Sequence, residues 1–172
     1  LSLVLLDKDW ANLEKEKYKD INSGFSFNKE LFPDPQNTIN EVHKRNLRIG
    51  LKINPYNGFY PYEDNFEIAK QYVEVNRQGF IDFNVFDARM MELYFKVFVH
   101  PLESMGIDLF WNDYNSKDNN GMFYLLDMSY RDSERNGKRP LYLMRNSTIG
   151  AHRYSVLYSG KTCIDWRTLK ML

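Results

Sequence analysis

Residues 106 to 116 read GIDLFWNDYNS, an apolar run that closes on Trp111 and Asp113. A carboxylate at the end of a strand, half buried beside an indole, is equipped to attack the anomeric carbon of a sugar whose ring lies against the aromatic face. The same position suits a helix N-cap or a turn, so residue type alone leaves both uses open. Asp7 and Asp9 in LLDKDW pose the same choice. Alternate residues of an extended strand face one way, so both carboxylates are expected in one cleft beside Trp10, receiving sugar hydroxyls, unless one of them pairs with a base. Arg145 in LYLMRNST ends a further apolar run. Its guanidinium fork is the natural partner of a carboxylate at a neighbouring strand end, either to orient Asp113 or as a plain structural ion pair. Asn54 in LRIGLKINP and Lys161 in YSGKT close two more such runs.

These groups need a scaffold that collects strand ends. Apolar runs of strand length recur at 2–10, 47–55, 107–113, 140–146 and 154–160, near-continuous rather than alternating, as strands covered on both faces are. Between them lie helix signals. PDPQNTINEVHKRN (33–46) opens on a Pro-Asp-Pro start and puts Ile39, Val42 and His43 toward one face. DARMMELYFKVFVHPLESMG (87–106) has Asp87 as its cap, Met91, Tyr94, Phe95 and Phe98 as its apolar face, and Pro101 as a kink or break. The third candidate spans 119–137 and stops at a glycine. Strict alternation of strand and helix predicts a parallel sheet, either an open doubly wound one or part of a β/α barrel. No glycine-rich phosphate loop follows any strand, which argues against a nucleotide fold. Functional side chains gathered at the carboxyl ends of several parallel strands are the way a barrel builds an active site.

The bulk composition narrows the partners. The chain has 172 residues, 43% hydrophobic and 16% aromatic, with 23 basic and 23 acidic side chains, which is globular composition and room for one domain. Zero formal net charge removes the broad attraction that nucleic acid or an anionic membrane requires, so neither is an expected partner. The six-residue LSLVLL opening, followed at once by charges, is too short for a membrane span or a signal core. With Cys163 as the only cysteine no internal disulfide can form, and a reducing, cytoplasmic location is expected. His43, His100 and His152 stand at no ligand spacing, so no metal site is expected, and nothing in the chemistry calls for a cofactor. The oligomeric state leaves no mark on the sequence.

Taken together, LLDKDW, GFSFNKELFPDPQNTINEVHKRNLRIGLKINP, GIDLFWND, NGKRPLYLMRNS, and HRYSVLYSG followed by DWRTLKML resemble glycoside hydrolase family 31, the retaining α-glycosidases. The resemblance holds in order over essentially the whole chain. It implies an α/β fold, a partial (β/α)8 TIM barrel covering roughly strands 2 to 6 and truncated at both ends. Residues 1–172 would then be part of a single catalytic barrel, with the remaining barrel strands and the flanking β-sandwich domains outside the sequence. The resemblance makes Asp113 the nucleophile. It gives Asp7 the hydroxyls of the sugar at the cleavage site, and places Arg145 along the same subsite. The substrate it implies is an oligosaccharide or small α-glycoside, in the manner of an α-glucosidase.

One position departs from the family. Its general acid/base is an aspartate following a YSG-like or WSG-like strand end, and here Lys161 stands in that place. A retaining glycosidase needs an acid roughly 5 Å from its nucleophile to protonate the leaving oxygen. A lysine, with an ordinary pKa of about 10.4, is a poor donor for that purpose. Losing general acid catalysis costs about a hundredfold to ten-thousandfold. Three readings follow: another acid such as Asp165 substitutes, Lys161 meets an anionic substrate group, or the barrel binds carbohydrate without cleaving it.

Overall fold

The computed structural model describes residues 2–12, 23–113, 118–135, 137, 139–145, 150–154, 156–158 and 166. Five strands, β1 (Leu3–Leu6), β2 (Arg48–Ile53), β3 (Leu109–Asn112), β4 (Leu143–Arg145) and β5 (Val156–Tyr158), lie side by side in chain order. Every pairing is parallel. Parallel neighbours in chain order need a crossover at each step, and α-helices lie in the first three. After β1 comes α1 (Pro35–Lys44), after β2 the short α2 (Phe66–Ala69) and a longer run described below, and after β3 comes α5 (Asn119–Glu134). This is the expected partial β/α barrel.

The strands are shorter than the apolar runs predict, because polar side chains turn the chain at their ends. Asp7 accepts from Lys8 N at 2.7 Å and starts a 3-10 turn over Lys8–Trp10. Asn54 accepts from Tyr56 N at 3.2 Å and starts another over Pro55–Asn57. The expected extension of β1 through Asp9 and Trp10 is therefore wrong.

α1 forms where its sequence signals place it. Asp34 accepts from Asn37 N at 2.9 Å, Pro35 occupies the first turn where its missing N–H costs nothing, and Ile39 is fully buried. The helix after β2 begins as α3 (Ala88–Leu93), with Asp87 accepting from Arg89 N at 2.8 Å. It widens to a π-helix over Tyr94–Val99 and resumes as α4 (His100–Ser104). Pro101, expected as a kink or a break, does not end the helix. An α-ladder would have brought the N–H of residue 101 to Val97 O, and Asn65 Nδ2 donates there instead at 2.8 Å.

The core lies between the helices and one face of the sheet. Ile49, Leu51 and Ile53 alternate along β2 and are buried with Ile39, Leu93, Phe98 and Leu125. On the other face the residues form layers. Leu5, Gly50 and Leu109 are register partners, and a Cβ on Gly50 would stand 2.9 Å from both Leu109 Cγ and Leu5 Cδ1, so the two leucines close over the glycine. The next layer toward the carboxyl ends is polar: Lys52 pairs with Trp111.

At the opposite, amino end, Asp108 accepts from Ile49 N at 2.9 Å, from Arg48 at 2.8 Å and pairs with His43 Nε2 at 2.9 Å. Burial pushes this carboxyl up, but the Ile49 N–H, His43 and Arg48 together hold it below the usual range. His43, which showed no ligand spacing, is thus a structural partner that ties α1 to the start of β3, and His100 plays a similar part against Asp132 at 2.9 Å.

Candidate active site

Three charged side chains meet at the carboxyl ends of β1, β2 and β3. Lys52 Nζ lies 3.0 Å from Asp7 Oδ1 and 3.0 Å from Asp113 Oδ2. The same ammonium sits 4.6 Å from the centroid of the Trp111 ring. Lys52 and Asp113 are mostly buried, with side chains 18% and 16% exposed, while Asp7 is 54% exposed. Burial alone would pull the ammonium pKa down, but the hydrogen bonds and charges of Asp7 and Asp113 outweigh it and raise it above the ordinary lysine value. Lys52 is therefore a permanent cation at neutral pH, and the two carboxylates stand no further apart than its two contacts reach end to end.

The elements explain the geometry. Asp113 follows β3, and its N–H donates to Ile53 O at 2.9 Å, continuing the β2–β3 ladder one residue past the strand. Asp7 follows β1 at the turn just described. Between them Lys52 reaches up from within β2, opposite Trp111, with its backbone held by the indole N–H of Trp10, which donates to Lys52 O at 2.8 Å.

Several expected site residues take other places. Asp9 lies in the 3-10 turn, exposed, and not on a strand facing the way Asp7 does. Trp10 is 2% exposed and packs edge-on against Phe27 at 4.8 Å, so it has no face to offer a sugar. One face of Trp111 carries the Lys52 ammonium, so a ring stacking on the indole has only the other face. Asn54 does stand at the end of β2, partly buried, but it serves as a cap, and its N–H donates to Ser23 O at 2.9 Å. Arg145 ends β4 in register with Tyr158. Lys161 and Asp165 lie outside the described residues.

Lys52 is the residue that sequence reasoning missed. RIGLKI reads as a continuous apolar strand, yet a lysine at the fifth of six strand positions, two before Asn54, breaks that pattern on the Gly50 face. Among the described residues no group of three His, Cys, Asp or Glu side chains is placed to hold a metal ion. A small hollow lies away from Asp113, bordered by Phe95, Val99, Asp108, Ser129, Asp132 and Tyr142. Since Asp108 precedes β3, it belongs to the amino end of the sheet, where a barrel keeps its stability contacts.

Residues 1–172 match the description "Glycosyl hydrolases family 31 TIM-barrel domain". The chain belongs to glycoside hydrolase family 31. Solved structures of the family share its fold. A GH31 α-xylosidase from a soil metagenome, complexed with xylose, superposes with a TM-score of 0.68 at 17% identity, covering 99% of this chain and 29% of that one. A GH31 sulfoquinovosidase from E. rectale, in complex with an aza-sugar inhibitor, gives 0.69 at 17% identity, covering 94% and 29%. A family 31 α-glucosidase from Bacteroides thetaiotaomicron gives 0.62 at 21% identity, covering 99% and 32%. The chain thus spans less than a third of each of these family 31 enzymes. No curated protein matches it.

Proposed function

We propose that this barrel segment carries the nucleophile side of a retaining α-glycosidase acting on an α-linked glucoside or related sugar. Asp113 attacks the anomeric carbon as the bond to the leaving oxygen breaks, and water later releases the sugar from the resulting ester. Asp7 receives ring hydroxyls, and Trp111 and Arg145 border the same subsite. The observation that supports this reading best is the meeting of Asp7 and Asp113 on one cation at the carboxyl ends of adjacent parallel strands. Family membership points the same way, with α-xylosidase, α-glucosidase and sulfoquinovosidase structures among its relatives.

Lys161 favours a second reading. With a lysine where the family carries its acid, the barrel binds carbohydrate and protonates the leaving oxygen poorly or not at all. The deciding experiment compares an unactivated α-linked disaccharide with its aryl α-glycoside, using Asp113→Ala as control. Cleavage of both, abolished in the control, supports the glycosidase with a different acid. Cleavage of the aryl glycoside alone supports an intact nucleophile without an acid. Binding without any cleavage sinks the enzyme reading.

A further inference from the structure

We propose that Lys52 is a positioning residue of this sugar site, setting the separation of Asp7 and Asp113 so that hydroxyl recognition and nucleophilic attack act on one ring. The inference rests on the glycosidase reading above and adds to it a residue that the motif comparison does not single out.

The lysine is held at both ends. Its carbonyl receives the buried indole N–H of Trp10 at 2.8 Å, and its ammonium contacts Asp7 and Asp113 at 3.0 Å each and the Trp111 ring at 4.6 Å. The stem between rises from the Gly50 layer, where Leu5 and Leu109 close over the glycine. A surface lysine samples many rotamers and contributes little through an ion pair. This one is 18% exposed, and the groups it joins come from two different strand ends.

Removing the cation leaves two like charges facing each other in a partly buried layer, which drives them apart or protonates one. Displacement of a reacting group by about 1 Å is enough to cost about a hundredfold in rate. A structural ion pair at the same place would change only folding stability.

The test uses α-D-glucosyl and α-D-xylosyl fluoride, whose fluoride leaves without a proton from the protein, together with calorimetric titration of glucose and xylose. Lys52→Met is expected to lower kcat/KM for the fluoride about a hundredfold. Lys52→Arg is expected to recover most of that loss, because a guanidinium spans two carboxylates. The losses in sugar affinity from Lys52→Met and Asp7→Asn are expected to be non-additive, since one residue acts through the other. If Lys52→Met binds and hydrolyses as the unaltered protein does, the proposal is overturned. It is equally overturned if the losses follow thermal stability alone and arginine restores nothing. If the unaltered protein binds sugar but leaves both fluorides intact, the proposed reaction fails, and the affinity cycle still decides the role of Lys52. A protein that neither binds nor hydrolyses overturns both.

Discussion

The indole N–H of Trp10 donates to the carbonyl of Lys52 at 2.8 Å, while the ammonium of that same lysine holds Asp7, three residues before the tryptophan, at 3.0 Å. The turn after β1 and the end of β2 are thus joined twice, once through backbone and once through charge. The position of Asp7 therefore depends on a side chain buried in the core.

Trp10→Phe keeps an aromatic ring against Phe27 but removes the donor. Leaving a part-buried carbonyl without its partner costs about 1 kcal/mol, and the melting temperature is expected to fall accordingly. Sugar affinity is expected to fall with it, because the Asp7 turn loses one of its two ties. Unchanged affinity in a destabilised variant would show that the ion pair alone positions Asp7.

Glu63 sets a different dependence, on pH. It is 3% exposed, accepts from the Ser23 hydroxyl and lies among Ser26, Tyr62 and Asp64. Burial pushes its pKa up to about 7, with a smaller push from Asp64, against the opposing hydrogen bonds of Ser23, Ser26 and the Phe25 N–H. The folded state holds this proton more tightly than the unfolded chain does. The stability it contributes is therefore complete below about 4.5 and is lost as pH rises through about 7. The change amounts to about 3 kcal/mol at most. Glu63→Gln is expected to flatten the fall in melting temperature between pH 5 and pH 8, and a slope identical to that of the unaltered protein would sink the idea. Asp108, held below its ordinary 3.8, acts in the opposite sense and only at lower pH, where its stabilisation is lost on acidification.

How far the sequence reading reached follows from what each signal encodes. α1 and α3 were legible because caps are local: Asp34 and Asp87 bond backbone N–H groups two or three residues on. The sheet was legible because parallel strands need covered faces, and the runs around Leu51 and Phe110 are apolar enough to say so. Asp7 and Asp113 stood out because they end such runs. Lys52 did not, since its meaning depends on which face of β2 it shares with Gly50, and that is fixed by the register with β1 and β3. Trp10 was misplaced for the same kind of reason. The turn begun by Asp7 carries it away from the strand direction and into the core.

Directly before Asp113 in the chain lies a buried polar network. Asn112, fully buried, donates from Nδ2 to Tyr142 Oη at 3.1 Å and to Tyr94 Oη at 3.4 Å, and the two phenols stand 3.3 Å apart. Burial raises both phenol pKa values, so neither ionises near neutral pH. Asn112→Ala is expected to cost about 1–3 kcal/mol, and Tyr142→Phe a similar amount. The double variant should cost less than the two together, because each single change strands the other's polar group. Full additivity in a chemical-denaturation cycle would show that the hydrogen bond between them contributes nothing.

Gly50 tests the layer under the site. A methyl group there would stand 2.9 Å from side-chain atoms of both Leu5 and Leu109, closer than carbon atoms pack, one layer below Lys52 and Trp111. Gly50→Ala in a strand would on backbone grounds be favourable, since glycine loses more conformational freedom on folding. Overpacking is expected to win, with a net loss of about 1–3 kcal/mol. Because the strain lies one layer below the ammonium, sugar affinity should weaken along with stability. Adding Leu109→Val, which shortens the crowded side chain by one methylene, should recover part of both. A Gly50→Ala protein more stable than its parent would mean that the two leucines yield easily and that the carboxylates are set by Lys52 and the strand register alone.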